Sequence, residues 1–140
     1  ESSTLEDLSS QFKDKDKKDS IKEEKSYYSK DEVAEYLHLY NKLPQNYITK
    51  KEAKALGREP KEGNLREVTD KKVIGGDYFG NYENLLPKSD YKEADVNYYG
   101  GPRNAERLIF DQEGNIFYTD DHYESFERIY WWLFLMGKNL

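Results

Sequence analysis

The segment YKEADVNYYGGPRNAERLIF, residues 91–110, alternates like a β-strand in its first half and carries two arginines in its second. Successive strand side chains point to opposite faces of a sheet, so residues two positions apart share a face. The alternation predicts a strand over Glu93 to Tyr99 with a polar and an apolar face: Glu93, Asp95 and Asn97 against Ala94, Val96 and Tyr98. Because Arg103 and Arg107 follow, two interpretations stay open, a scaffold of ion pairs or a site that handles an anion.

Turn and capping residues predict the elements around this strand. From Val73 onward the pattern favours strands, and DQEGN favours a hairpin loop with Gly114 and Asn115 available for positive φ. The other strand segments are VIGGDYF with a Gly-Gly bend, then residues 107–110, 116–119 and 126–130. Before Val73, three capping residues predict helix starts: Ser29 with Glu32, Thr49 with Glu52 and Asn64 with Glu67. Helices followed by an antiparallel sheet predict an α+β domain, with helices on one sheet face and a site on the other.

Composition divides the 140 residues into one domain and two ends. Residues 1–26 are rich in charge and poor in apolar side chains, which predicts a flexible leader, and residues 27–130 form the domain. Residues 131–140 begin with WWLFLM, and this apolar tail has three open interpretations: packing on the domain, association, or a reading-frame artefact. No apolar run reaches the ~20 residues of a membrane span, so we expect none.

Charge and residue usage exclude several function classes. The absence of cysteine excludes disulfides and thiol catalysis, and the net charge of −6 argues against a general nucleic-acid coat. Of the two histidines, His38 lies on the polar edge of the first predicted helix, where we expect a solvated side chain. His122 lies in TDDHYESF, where Asp120 and Asp121 favour its protonated form.

A carboxylate, an imidazolium and two arginines suit phosphoryl transfer without a metal. The carboxylate accepts the proton of an attacking hydroxyl, the imidazolium donates to the leaving oxygen, and the cations hold the phosphate. RNA supplies the attacking hydroxyl itself, at its 2′ position. We therefore expect RNA as the substrate, no metal ion and no cofactor.

Six segments resemble, in the same order, segments of the barnase- and binase-like bacterial ribonucleases, the microbial guanyl-specific family. They are KLPQNYITKKEAKALG, GNL, IGGD, EADVNY, RNAERL and TDDHY, within Tyr36 to Ile129. The resemblance implies N-terminal helices on an antiparallel sheet of about five strands. It implies Glu93 as general base and His122 as general acid. It also implies phosphate-binding roles for Arg103, Arg107 and Lys50, and structural roles for Asp95 and Asp77.

The resemblance further implies that FGNYENLLP, Phe79 to Pro87, reads guanine through backbone amides and the Glu83 carboxylate. Gly80 and Asn81 suit this loop because both tolerate turn conformations that point N–H groups inward. The family has an arginine at the position of Tyr82, so a stacking surface is kept and a cation is lost. Tyr123 is implied to stack on a base.

The function expected from the sequence is a guanyl-preferring endoribonuclease that cleaves single-stranded RNA through a 2′,3′-cyclic phosphate. Two alternatives stay open: a non-catalytic binding module on a ribonuclease fold, and the toxic nuclease domain of a larger delivered protein. The family resemblance implies a barstar-like proteinaceous inhibitor as partner and a secreted, extracellular protein.

Overall fold

A computed structural model of the chain describes residues 20–130, so the first 19 residues of the expected leader and the whole expected tail lie outside the described residues. Three helices and a short 3-10 helix precede most of the sheet. The helices are α1 (Lys30–Tyr40), α2 (Lys50–Ala55), the 3-10 helix (Pro60–Glu62) and α3 (Leu65–Val68). The strands are β1 (Tyr47–Ile48), β2 (Val73–Phe79), β3 (Tyr91–Asp95), β4 (Arg107–Phe110), β5 (Ile116–Thr119) and β6 (Glu127–Tyr130).

Side-chain caps start the first two helices where the sequence predicted them. The Ser29 hydroxyl accepts the Glu32 N–H at 3.3 Å, which satisfies one of the unpaired N–H groups at the start of α1. At α2, Thr49 and Glu52 form the reciprocal capping box, with the Thr49 N–H bonded to the Glu52 carboxylate at 2.9 Å. Both helix starts are confirmed.

The third helix starts as predicted but lacks the predicted cap. The Asn64 side chain instead accepts the Glu59 N–H at 2.7 Å and donates to the Gly57 carbonyl at 3.2 Å. These two bonds fasten the loop that contains the 3-10 helix. The capping prediction for Asn64 is therefore wrong, because the side chain satisfies loop groups rather than the helix.

The sheet has six strands in the order β1-β2-β3-β4-β5-β6. The five longer strands are antiparallel neighbours, and β1 adds a parallel pair to β2 at the edge. A bulge between Gly75 and Asp77 occupies the predicted Gly-Gly bend, and Gly76 has a φ of 100° there. The α+β class is confirmed, and the sheet is mixed rather than purely antiparallel.

Strand β3 ends earlier than the alternation predicted. It stops at Asp95, and Asn97 adopts a left-handed φ of 56°. The Asn97 side chain accepts the Lys30 N–H at 3.2 Å and donates to Glu106 at 2.8 Å. Asn97 therefore joins the start of α1 to the loop before β4, and the predicted polar face of the strand consists of Glu93 and Asp95 alone.

The two faces of the sheet have different surroundings. One face packs against α1 through a core that includes Val33, Leu37, Ala94, Leu108 and Phe110. On the opposite face, an apolar cluster of Leu86, Tyr91, Ile109 and Phe117 lies beside polar side chains from β3 and β4. Those polar side chains are the ones that the sequence singled out.

The described end of the expected leader packs on the domain. Ile21 is buried, and its carbonyl accepts the Tyr40 hydroxyl at 3.2 Å. The Glu23 carbonyl accepts the Tyr36 hydroxyl at 2.6 Å, and the Glu23 carboxylate lies 2.7 Å from the Lys42 ammonium. The packed part of the chain therefore includes Ile21, a residue that composition assigns to the leader.

Candidate active site

A buried carboxylate shared by two arginines lies beside Glu93 on the same face of the sheet. Asp95 on β3 and Arg107 on β4 are cross-strand partners, and Arg107 Nε lies 3.0 Å from Asp95 Oδ1. Arg103 binds the same carboxylate in bidentate fashion, at 2.8 Å and 2.7 Å. Both side chains of the Asp95–Arg107 pair are only 2% exposed. The ion-pair scaffold that the sequence left open is therefore present.

The arginines differ in how far they are free to meet a ligand. Arg107 Nη1 donates to the carbonyls of Asn104 and Glu106 at 2.8 Å and 2.9 Å, so several of its donors have protein partners. Arg103 is 23% exposed. Burial alone would lower the pKa of Arg103, but the hydrogen bonds and negative charge of Asp95 outweigh it and raise that pKa, so the guanidinium stays charged.

Glu93 lies one pleat from Asp95 on the same face and is almost buried, at 9% exposure. The Tyr123 hydroxyl donates to Glu93 Oε1, and it accepts a hydrogen bond from Arg107 Nε at 3.2 Å. Arg107 Nε is also 3.9 Å from Glu93 Oε1. Burial, and then the bond to the Glu93 carboxylate, raise the pKa of Tyr123 to about 12, so this phenol stays neutral at ordinary pH.

His122 is exposed in the loop between β5 and β6, in an unusual backbone conformation. Both His122 and Tyr123 have positive φ, 55° and 76°, which costs free energy for residues other than glycine. The His122 N–H donates to the Ala105 carbonyl at 3.1 Å. The Tyr123 N–H donates to the Thr119 hydroxyl at 3.1 Å. These bonds hold the strained pair in place.

Asp121 stabilises this loop by bonds to its backbone. Its carboxylate accepts the hydroxyl of Thr119 at 2.7 Å and the N–H groups of Glu124 and Ser125 at 3.1 Å and 2.9 Å, together with the Ser125 hydroxyl. These bonds, the Ser125 hydroxyl first, lower the pKa of Asp121 to about 2. The sequence suggested that Asp121 favours the protonated form of His122, whereas the structure uses this carboxylate to organise the loop.

A cleft of about 430 Å³ joins Glu93 and His122 to the expected guanine-reading loop. Tyr123 and five consecutive loop residues also line it: Phe79, Gly80, Asn81, Tyr82 and Glu83. The sequence did not single out four further lining residues, Tyr78, Leu85, Glu124 and Phe126. Leu85 belongs to the loop from Phe79 to Pro87, and the sequence predicts Phe126 at the start of the last strand. Only their position in the fold shows that they reach the cleft.

The loop at the cleft holds its shape through Asn81. The Asn81 amide donates to the Leu86 carbonyl at 2.9 Å and accepts the Leu86 N–H at 3.2 Å, as a neighbouring strand would. Asn81 has a left-handed φ of 50°. The ring of Tyr82 lies directly over Gly80, where an added Cβ would be 2.1 Å from the ring. Tyr82 is 86% exposed, so its ring covers Gly80 from the solvent side.

Aromatic stacking joins this loop to the loop of His122. The rings of Phe79 and Tyr123 are stacked with centroids 5.3 Å apart, and Phe126 meets Phe79 edge-on at 6.1 Å. The stack fixes Tyr123 between the loop and the Glu93 carboxylate.

Five of the predicted site residues lie outside the cleft lining: Lys50, Asp77, Asp95, Arg103 and Arg107. Lys50 is exposed at the start of α2, and its backbone N–H donates to Asp77 Oδ2 at 3.0 Å. Asp77 thus ties α2 to the bulge of β2 and supplies negative charge at the helix start. Within residues 20–130, no group of three or more His, Cys, Asp or Glu side chains is placed to hold a metal ion.

The sequence of this chain is similar to those of known ribonucleases. A family model described as ribonuclease matches residues 30–130. A ribonuclease of Heyndrickxia coagulans is 50% identical over 102 residues, which cover 71% of this chain and 94% of that protein. Ribonucleases of Bacillus intermedius and Bacillus pumilus are also 50% identical over 102 residues, and the chain spans 63% of the length of each. In the part of the chain that the structure describes, none of the helices has the length and apolar character needed to cross a membrane. The family model covers most of the chain and the relatives are half identical to it, so the resemblance read from the sequence is confirmed, and the chain belongs to the ribonuclease family.

Proposed function

We propose that this ribonuclease cleaves single-stranded RNA on the 3′ side of guanosine, without a metal ion, through a 2′,3′-cyclic phosphate. One observation carries the proposal: Glu93 and His122 line the same cleft as the loop from Phe79 to Glu83. A carboxylate and an imidazole at one cleft supply the base and the acid, and the loop supplies donors and acceptors for a base edge.

The proposed reaction is a transphosphorylation. Glu93 accepts the proton of the guanosine 2′-hydroxyl, and O2′ attacks the phosphorus atom. The P–O5′ bond breaks, and protonated His122 donates its proton to the leaving O5′. The products are a guanosine 2′,3′-cyclic phosphate and an RNA with a free 5′-hydroxyl. The Tyr123 hydroxyl and the Arg107 guanidinium hold the Glu93 carboxylate in place, so little reorganisation precedes proton transfer.

Positive charge near the reacting phosphate comes from side chains that the ion-pair scaffold already orients. Arg103 is bound to Asp95 through Nε and Nη2, is 23% exposed, and can turn its remaining donors to a phosphate oxygen. Arg107 is more deeply buried, so we propose that it acts mainly through its charge. Lys50 is exposed on the neighbouring helix and adds long-range attraction.

We propose that guanine is selected by the loop from Phe79 to Glu83. The Glu83 carboxylate is an acceptor that suits the N1–H and N2–H donors of guanine, and backbone N–H groups suit its O6 and N7 acceptors. Tyr82 would leave Gly80 and cover the bound base by stacking. A tyrosine at this position keeps guanine preference but gives up the attraction that an arginine would exert on the phosphate.

The decisive test uses the dinucleotides GpU, ApU and UpU in excess EDTA. We expect GpU to be cleaved with at least tenfold higher kcat/KM than the others, as one good set of base-edge contacts provides about 1–3 kcal/mol of discrimination. The product is expected to be the 2′,3′-cyclic phosphate, and the 2′-deoxy analogue of GpU is expected to be inert. Loss of cleavage in EDTA, or cleavage of the deoxy analogue, would disprove the mechanism, while equal cleavage of ApU would disprove the guanine preference.

A barstar-like inhibitor is the partner that we propose for the same surface. Such an inhibitor presents acidic side chains to the cations at a phosphate site, and close charge pairs of this kind add affinity and speed association. Arg103 and Lys50 are exposed enough to meet it. Calorimetry with a barstar-type inhibitor tests this, and absence of binding at micromolar concentrations would contradict it. Secretion stays a prediction.

A further inference from the structure

A second cavity, of about 360 Å³, adjoins the cleft. Leu85, Glu124 and Phe126 line both cavities, so the two share one wall. The other residues of this flanking groove are Leu86, Pro87, Phe117, Ser125 and Arg128. Neither Glu93 nor His122 lines it. The flanking groove therefore continues the cleft beyond this shared wall, and its lining includes neither proton-transfer group.

The flanking groove has the apolar walls that a nucleobase needs. Leu85 is 53% exposed on the shared wall, although water is an unfavourable environment for a leucine side chain. Phe117 and Leu86 also line the groove and are buried, at 4% and 5% exposure, so they form a packed floor. A base that lay on this surface would remove apolar area from water and gain stacking contacts.

Arg128 places a positive charge at the same groove. Its guanidinium carbon lies 4.5 Å from the centre of the Phe117 ring, and Nη1 donates to Asn115 at 3.0 Å. The side chain is exposed where it lines the groove. A guanidinium in this setting suits a phosphodiester oxygen. Glu124, on the shared wall, carries the opposite charge, and its carboxylate is an acceptor for an amino group of a base.

We infer that the flanking groove binds the nucleotide on the 5′ side of the cleaved guanosine, with its base on the apolar wall and its 3′-phosphate near Arg128. The inference rests on the proposed function. The 3′ neighbour is bonded through the scissile phosphate, so it leaves from the end of the cleft where Glu93 and His122 lie. The flanking groove meets the cleft only at Leu85, Glu124 and Phe126. The nucleotide that reaches it is therefore the one attached to the 5′ oxygen of guanosine.

The test compares kcat/KM for GpU, for the 5′-extended ApGpU and for the 3′-extended GpUpA. We expect the 5′ extension to raise kcat/KM about tenfold in the natural chain, as stacking of one base allows. Arg128→Ala should lose most of that gain and leave GpU cleavage unchanged, and Arg128→Glu should lose all of it. The variants should change the effect of the 3′ extension by less than twofold. Thermal melts confirm that both variants are folded.

Lys61→Ala is the matched control, because Lys61 is an exposed cation that lines neither cavity. It should keep the full gain from the 5′ extension. The inference is overturned if the 5′ extension brings no gain, or if Arg128→Ala and Arg128→Glu both keep it. Should GpU itself resist cleavage, the proposed function fails instead. In that case, binding of an uncleavable ApGpU that contains 2′-deoxyguanosine tests the flanking groove separately, with NMR chemical shifts of Leu85 and Phe126 as the readout. Shifts that Arg128→Glu removes would support the inference. Absence of such shifts would overturn it.

Discussion

The Tyr123 hydroxyl donates a hydrogen bond to the Glu93 carboxylate, and the same oxygen accepts one from Arg107 at 3.2 Å. A residue from the loop after β5 thus completes the surroundings of a carboxylate in the middle of the sheet. The contact spans 30 positions of sequence, and the stack of Tyr123 on Phe79 extends it to the expected guanine loop. The Glu93 carboxylate, the Arg107 side chain and the expected guanine loop are therefore joined through one phenol.

Replacing Tyr123 by phenylalanine should lower stability in a pH-dependent way. The pKa of Tyr123 is raised to about 12, so its neutral form favours folding. That contribution is complete below the unfolded value of about 10 and is lost as pH rises toward about 12. We expect Tyr123→Phe to cost about 1 kcal/mol at pH 8. Urea denaturation should show the cost shrinking above about pH 10.

Tyr82→Phe is the matched control for this experiment, because the Tyr82 side chain is almost fully exposed. It should change the free energy of unfolding by a few tenths of a kcal/mol at most, as exposed positions usually do. A cost for Tyr123→Phe that stays constant from neutral to strongly alkaline pH would show that its hydroxyl does not stabilise the fold through Glu93 and Arg107.

The proton-transfer roles predict large kinetic effects. Glu93→Gln and His122→Gln should each lower kcat/KM for GpU by ~10²-fold or more, as positioned acid and base groups usually contribute. The natural chain should show a bell-shaped dependence of kcat/KM on pH. Glu93→Gln should lose the acidic limb and His122→Gln the basic limb. His38→Gln replaces the other of the two histidines, which stacks on Tyr130, and should keep near-natural activity. Near-natural activity of a folded Glu93 or His122 variant would refute the assignment.

Local patterns predicted most of the elements of this fold. Strands at residues 107–110 and 116–119 are confirmed with the predicted bounds, and the hairpin loop between them has Gly114 at a φ of 97°. Asn115 does not take a positive φ; its N–H instead donates to Asp111 at 3.0 Å. Alternation and turn residues act over a few positions, so they appear directly in the sequence.

Contacts between distant segments cannot be predicted from local sequence patterns. Ile21 sits among charged residues, so composition placed it in the leader, yet hydroxyls of Tyr36 and Tyr40 bind this segment to α1. The end of β3 at Asp95 depends on Asn97, whose partners Lys30 and Glu106 lie far apart in the sequence. The same holds for the cleft, since Tyr78 and Phe126 reach it only after the sheet has formed.

Removing the Asp95 carboxylate, which both arginines share, should lower the free energy of unfolding. Asp95→Ala leaves the 2%-exposed Arg107 without its nearer charge partner and Arg103 without its bidentate bond. Breaking a buried ion pair in this way costs about 3–5 kcal/mol. We expect a drop of that size in the free energy of unfolding, measured by urea denaturation at pH 7. Asp90→Ala, at an exposed position before β3, should cost less than 0.5 kcal/mol, as surface substitutions usually do. Equal stabilities of the two variants would contradict the scaffold.

The packing of Ile21 predicts a difference between two N-terminal truncations. Removing residues 1–26 takes away the buried Ile21 and the carbonyls that accept the hydroxyls of Tyr36 and Tyr40. This should cost about 2–4 kcal/mol, since a buried aliphatic side chain and hydrogen bonds are lost together. Removing residues 1–19 leaves these contacts, and we expect unchanged melting behaviour because that segment is charged and poor in apolar residues. Equal melting temperatures for the two truncations would show that Ile21 does not anchor the domain.

Asp121 should control both acid stability and the placement of His122. Its pKa is lowered to about 2 by bonds to its charged form, first from the Ser125 hydroxyl. The stability it provides is therefore present above the unfolded value of about 3.9 and is lost as pH falls toward about 2. Asp121→Ala should flatten this part of the acid unfolding curve. It should also release the positive-φ pair of His122 and Tyr123, and lower kcat for GpU by about 10- to 100-fold, because small misplacements of reacting groups are costly. Asp121→Asn keeps an acceptor oxygen and should recover part of kcat.

The matched control is the exposed neighbour Asp120. Its change to Ala should alter neither the acid unfolding curve nor kcat. If Asp121→Ala changed the acid unfolding curve but left kcat intact, the loop would hold His122 without this carboxylate.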